Sequence, residues 1–545
     1  MKTNKPSEEV NEPNGTEERG GTAISRRTVL KGMAGAIALA VAPRMAMGSD
    51  SSGLSAASTN GLSKSQAKPR RGGDLRVGTI GGSSSDTLDA DNAITFPDWV
   101  RNYQLYEGLN QIDADGNTVL QLAEEITPSS DHLTWTIRVL NGIEFHNGKT
   151  LSAEDVAFTL KRILNPKAPL PGAIALAPVD VSSFKIVDRR TLQLKTHFEY
   201  SSLPDNLAAW YIKVVPVGYD PKSPVGTGPF KYQSFTPGQS SVFTRNPHYW
   251  QSGVPYLDSV SIIEFADDGA RLDALEGGDI DAVDQVPPSS ISPLRSQGHL
   301  VVSAVHSGAW RPFTMRVDVP PFNDVRVREA MRLVLNRPEM GEVTQSGYYQ
   351  LGNDLFGLYD TCYDKSLPQR VQDIPRAKSL LRSAGKENLS VTLTTAPIAP
   401  QVDQMSLVLQ QQASSAGMHV SVNTVSVSSF YGPGYPNYPF AVDTWFYTPY
   451  LAQLTQGMLA KAPFNETHWD NPQYNSLYSK AISTFDEAKR CEIVQEMQRI
   501  EYDEGGLIVP LFPDDVDAWN ARVVGLRSGA TGLGLGNYDF RKAWL

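Results

Sequence analysis

The chain has 545 residues, of which 40% are hydrophobic, 20% charged and 9% aromatic, and 49 basic against 59 acidic side chains give a formal charge of -10. That composition is globular and exceeds what one core usually supports, so two or more lobes are expected. The acidic balance excludes nucleic acid as a partner, because binding a polyanion needs a concentrated basic surface; Cys362 and Cys491 are too few for a disulfide scaffold or a thiolate zinc site.

Residues 1–48 read as an export address. Ser25-Arg26-Arg27-Thr28-Val29-Leu30-Lys31 precedes an apolar run from Gly32 to Pro43, and Ala46-Met47-Gly48 offers a small-x-small cleavage site. The run is about 12 residues, against about 20 for a bilayer span. The paired arginines give the segment the form of a twin-arginine signal peptide, so a soluble, periplasmic protein is expected. Removing the leader takes away seven basic and five acidic residues and leaves a charge of -12. Residues 49–71, rich in Ser, Ala and Gly, read as a flexible linker.

Order begins with Gly72 to Thr79, a short strand running into the Gly81-to-Ser85 loop. Helical spacing follows from Trp99 to Leu109, with Gly108 as its stop. Leu133 to Val139 alternates as a strand, and Asn141-Gly142 behind it favours a turn with positive φ. Leu151 to Phe158 starts a helix, with Ser152 as cap and Asp155 in capping-box position. Strands and helices then alternate to the C-terminus, so the fold class is mixed α/β. Spacing alone does not bring Cys362 and Cys491 together, and their pairing stays open.

Four segments carry a family resemblance. The first is Leu122-Ala123-Glu124, Thr134-Trp135-Thr136-Ile137-Arg138, Phe145-His146-Asn147-Gly148 and Ala153-Glu154-Asp155-Val156-Ala157-Phe158. The second is Gly226-Thr227-Gly228-Pro229-Phe230-Lys231, Asn246-Pro247-His248-Tyr249-Trp250 and Leu275 to Asp281. The third is Pro321-Phe322-Asn323-Asp324-Val325-Arg326-Val327-Arg328, with Asn336-Arg337. The fourth joins Ala377-Lys378-Ser379-Leu380-Leu381 to Ala384-Gly385. In this order they resemble the family 5 extracytoplasmic solute-binding proteins of peptide and nickel ABC transporters.

The resemblance implies a two-lobe periplasmic-binding-protein type II fold of the large, cluster C kind, with the ligand between the lobes. Lobe I would span 72–305, including an inserted subdomain near 103–222; lobe II would span 306–505; residues 506–545 would return to lobe I. It also implies a monomeric receptor that hands a small-molecule solute to ABC transporter permease subunits. Most signature residues are expected to serve the fold: Gly226 and Gly228 as turn glycines, Trp135, Trp250 and Phe158 as core, and His146 in a structural hydrogen bond.

Enzyme chemistry finds no support. Gly148-Lys149-Thr150 lacks the spacing of a phosphate loop, the eight histidines show no zinc-ligand spacing, and there is no G-x-S-x-G elbow. No catalytic residue, metal ligand or cofactor is therefore assigned. A sensory ligand-binding subunit and, behind it, an exported hydrolase are the alternative readings.

Dipeptide-binding relatives hold the ligand amine with an acidic run after a tryptophan and its carboxylate with a loop arginine. Here the matching stretches, Asp443-Thr444-Trp445-Phe446-Tyr447-Thr448-Pro449-Tyr450 and Thr395 to Gln401, lack both anchors. The expected solute-binding residues are Trp445, Tyr447 and Tyr450, the Gly81-Gly82-Ser83 loop opposite them, Asp443 toward a ligand amine and Arg311 toward a ligand carboxylate. The competing reading is a buried aromatic strand end and an internal Arg311 ion pair. Modified peptides, opine-like conjugates, polyamines, sugars and metal chelates stay open as solutes, with nickel disfavoured because the aromatic run after Asp443 contains no histidine.

Overall fold

A computed structural model describes residues 68–545 apart from 81, 83, 85, 94, 95, 433, 461 and 463. The leader and nearly all of the linker lie outside the described residues.

The first lobe is organised by a seven-stranded sheet. Asp74–Ile80 runs through it, parallel to Ser259–Phe265 on one side and to Ala282–Val283 on the other. Ser240–Arg245 and Phe230–Thr236 extend one edge, and Asp515–Asn520 and Leu300–Val305 extend the other. Leu75, Val77, Val260 and Ile262 are fully buried along the central pair, which matches the short apolar strands that the sequence suggests.

An antiparallel four-stranded sheet forms a second layer within this half, in the order Ala123–Pro128, Thr134–Val139, Thr191–Thr196, Val179–Asp188. Alternation along Thr134–Val139 buries Trp135, Ile137 and Val139 in the core of this half. That helix starts where its capping box predicts: the Ser152 N–H donates to the Asp155 carboxylate at 3.0 Å. His146 is held by backbone, with Nε2 3.0 Å from the Gly228 carbonyl and Nδ1 accepting from the Gly226 N–H at 3.3 Å. Gly226 and Gly228 serve a different purpose from the turn expected of them. Neither has positive φ; a Cβ on either would strike the carbonyl of Leu105 or Gln104, so glycine is needed for close backbone approach.

The second lobe carries a five-stranded sheet in the order His419–Thr424, Ser390–Thr395, Phe440–Val442, Phe313–Met315, Leu507–Ile508. Its core includes Phe313, Val327, Met331, Leu393 and Leu409, supplied by these strands and by helices Val325–Leu333 and Val402–Ser414. Because Leu507–Ile508 still pairs with Phe313–Met315, the chain re-enters the first lobe's sheet at Asp515, later than the expected 506. Cys362 and Cys491 are joined as a disulfide, their Cα atoms 4.5 Å apart across 129 positions of sequence. Among the described residues no helix is long and apolar enough to cross a membrane.

Candidate functional site

The chain passes between the lobes twice, at residues 305–313 and 513–515, and the two crossings lie side by side. Ser307 Oγ donates to the Pro513 carbonyl at 2.7 Å, and His306 Nδ1 lies 2.8 Å from an Asp514 carboxylate oxygen. Beside them lies a narrow cleft between the lobes, partly open to solvent. Phe96 and Gln285 line it from the first lobe, Arg311, Thr444 and Phe446 from the second, and Asp514 and Asp515 from the crossing.

Backbone pairing decides which side chains of 443–447 reach this space. The segment runs antiparallel to 308–312: Trp445 N–H donates to the Trp310 carbonyl and Trp310 N–H to that of Trp445, both at 2.9 Å. Successive side chains of an extended strand point to opposite faces. Trp310 and Trp445 share the inner face, while Arg311, Thr444 and Phe446 share the outer one, toward the cleft. The expected Asp443, Trp445 and Tyr447 have the other parity, and a one-residue shift exchanges every side chain between faces.

The expected residues are therefore placed as follows. Trp445, 3% exposed, stacks on Trp310 inside the second lobe. Asp443 is fully buried behind it; its carboxylate accepts from the Tyr431 hydroxyl at 2.6 Å, the Tyr435 hydroxyl at 3.1 Å and the Thr444 N–H at 2.7 Å. Burial raises the pKa of this carboxyl, and its hydrogen bonds come from its own lobe. Tyr447 covers Gly308, where a Cβ would stand 2.6 Å from its ring. Tyr450 stacks on Phe356 and donates to Glu501 at 2.7 Å. Gly82 packs against the Glu264 carboxylate, which pairs with Arg101 within the first lobe. Gly81 and Ser83 lie outside the described residues. Of the expected set, the cleft receives Arg311.

Arg311 is 9% exposed, and neither its Nε nor its Nη1 has a hydrogen-bond partner. No carboxylate forms an ion pair with it among the described residues, and burial pushes its guanidinium down to about 10. A buried cation without a counter-charge costs several kcal/mol, which a bound anion would offset. Phe446 reaches across the cleft: its ring meets Phe96 edge-on at 5.4 Å and Trp99 at 5.3 Å, so it ties the second lobe to the first. Asp514 and Asp515 were missed in the sequence. Their signal was an Asp-Asp pair after the apolar run Leu507–Phe512, but only the second crossing places the two residues at the edge of the cleft.

A larger cavity of about 1400 Å³, again counting open solvent, lies within the first lobe beside Glu107, Arg527 and Arg541. Arg541 pairs there with Asp539 at 2.6 Å, Arg527 with Asp115 at 2.9 Å, and Glu107 accepts from Tyr249, Trp250 and Thr227. Arg311 of the interlobe cleft has no such carboxylate partner among the described residues. The described residues contain no grouping of His, Cys, Asp and Glu suited to a metal ion.

Comparison with known proteins fits this geometry. The model of the bacterial extracellular solute-binding proteins, family 5 (middle), matches residues 117–480. A glutathione-binding protein, GsiB, from Pectobacterium atrosepticum is 25% identical over 444 residues, covering 76% of this chain and 84% of its own. GsiB of Escherichia coli K12 is 24% identical over 467 residues, covering 82% and 90%. Among solved structures, the periplasmic binding protein AgaA from A. tumefaciens R10, in complex with agropinic acid, superposes with a TM-score of 0.76 at 21% identity, covering 87% of this chain and 99% of its own. The oligopeptide-binding protein AppA of Bacillus subtilis, in complex with a nonapeptide, gives 0.76 at 21% identity, covering 88% and 100%.

Proposed function

Since the chain belongs to family 5 of the bacterial extracellular solute-binding proteins, we propose that it captures a small carboxylate-bearing organic solute between its lobes and delivers it to the permease of an ABC importer. The observation that carries this reading is Arg311: a guanidinium buried at the cleft with Nε and Nη1 unpartnered. An anionic solute group supplies the missing partner, and charge-assisted pairing of a guanidinium with a carboxylate is strong and geometrically specific. Phe96 and Phe446 supply apolar walls, as small-molecule sites require. Relatives that bind glutathione, and a structural neighbour holding agropinic acid, agree with an acidic solute.

The role needs binding and release, not bond-breaking. Export through the twin-arginine leader would place the mature chain in the periplasm, as a monomer beside its permease. The test is a thermal-shift screen of the mature chain against peptides, amino-acid conjugates, polyamines and sugars, since a ligand that binds the native state raises the melting temperature by mass action. Stabilisation by carboxylates that disappears in Arg311→Gln supports the reading. Stabilisation by polyamines or sugars alone overturns it.

A further inference from the structure

Gln285 lines the interlobe cleft from the first lobe, as Arg311 and Thr444 do from the second. Its backbone is held at φ +45°, a conformation that a residue with a Cβ rarely adopts. Contacts on both sides pin this turn. Arg271 donates to the Asp284 carboxylate at 2.8 Å and to the Gln285 carbonyl at 3.4 Å, and the Val286 N–H donates to the Val516 carbonyl at 2.7 Å. Asp284 and Val286 are buried, whereas Gln285 between them is half-buried. Its side-chain amide makes no hydrogen bond to a described residue. Glycine adopts positive φ without strain, so a turn that served only the path of the chain would favour glycine here. Glutamine instead holds an unfavourable backbone conformation and gives its amide no internal partner. A strained residue of this kind in a cleft points to a use for its side chain.

We propose that Gln285 is a specificity-determining residue: its amide receives a neutral hydrogen-bonding group of the solute, a hydroxyl or an amide, while the solute's carboxylate pairs with Arg311. This rests on the reading of Arg311 given above and adds which acids are taken. The glutamine amide carries two N–H donors and a carbonyl acceptor, so it matches a group that both donates and accepts. An acid without such a group leaves the Gln285 amide unpaired in the occupied cleft. A site built to hydrogen-bond a polar group rejects the analogue that lacks it, because its own polar atoms then lose their partner. Gln285 belongs to the first lobe and Arg311 to the second, so a solute that carries both groups ties one lobe to the other. A plain acid held by Arg311 alone does not.

The experiment uses the purified chain and matched pairs of acids: lactate with propionate, malate with succinate, gluconate with hexanoate, and N-acetylglycine with pentanoate. Melting temperature is read first and affinity by calorimetry second. The expected result is that the hydroxyl- or amide-bearing acid of a pair binds about tenfold or more tightly than its plain counterpart. Gln285→Met keeps the length of the side chain, removes its hydrogen-bonding groups and should bring the two acids to near equality. Gln285→Gly should do the same and also raise the melting temperature without solute, since glycine relieves the positive φ. A residue needed only for the turn would shift that melting temperature and leave the ratio of affinities alone. Equal binding within every pair overturns this inference, as does a ratio unchanged in both Gln285 variants. The Arg311 reading then stands if Arg311→Gln abolishes binding of both members. Acid binding that survives Arg311→Gln, or no stabilisation by any acid of the panel, overturns the Arg311 reading and this inference with it.

Discussion

The indole rings of Trp310 and Trp445 lie stacked, 5.7 Å between centroids and 12° from parallel, and the same two residues exchange a pair of backbone hydrogen bonds. This pairing fixes the face on which Arg311, Thr444 and Phe446 emerge. Trp445→Ala removes a core side chain and should cost about 3–5 kcal/mol of stability, the usual loss for a buried tryptophan. Urea denaturation of the variant measures it. A variant as stable as the native chain would place Trp445 outside the core.

Arg311→Met exchanges a buried, unpartnered cation for an apolar side chain of similar length. The native guanidinium has its pKa depressed by burial to about 10, so the folded state holds its proton less firmly than the unfolded state. The penalty is present in full below pH 10 and fades as the pH rises above it. The unliganded variant should therefore be more stable at neutral pH, by about 1–3 kcal/mol, while losing carboxylate binding. Calorimetric melting without and with solute tests both halves; a less stable apo variant refutes the first.

Burial pushes the carboxyls of Asp91, Glu501 and Asp515 each up to about 7. An acid whose folded pKa exceeds its unfolded value binds more protons when folded, so its contribution to stability falls as pH rises between about 4 and 7. The apo protein should melt at a lower temperature at pH 8 than at pH 5.5, and Asp515→Asn should flatten part of that slope. A melting temperature that rises across this interval contradicts the assignment.

The Cys362–Cys491 bond closes a loop across 129 positions. In the chain-entropy account a loop of that size stabilises by about 4–5 kcal/mol. Cys491→Ser should lower the melting temperature, with solute affinity retained because neither cysteine lines the cleft. Equal melting of the oxidised native chain and the variant would count against the bond.

Much of the fold was written locally. The alternation of Thr134–Val139, the capping box at Ser152 and the positive φ of Gly142, +78°, each depend on residues within a few positions. The parity of 443–447 did not, because its inner and outer faces are assigned by pairing with 308–312, more than a hundred positions earlier. Trp445 and Tyr447 are the more conspicuous residues, and large aromatics are as suited to a core as to a binding wall. Arg311 could be named from sequence, but its lack of a partner is a property of the folded surroundings. Asp514 and Asp515 became site residues only where the second crossing set them beside His306.

The strand Asp515–Asn520 has a consequence for synthesis. It sits between Ala282–Val283 and Leu300–Val305, and Leu300–Val305 has no other neighbour in the sheet. On the ribosome most of the first lobe is made early, yet its sheet stays split until Asp515–Asn520 has emerged. Leu545, packed on Gly73, adds the last contact to the first strand's approach. Domains commonly fold in the order they are made; here the first lobe must wait for Asp515–Asn520, so a chain truncated before Asp515 should lose the early lobe's cooperative melting along with the later segment.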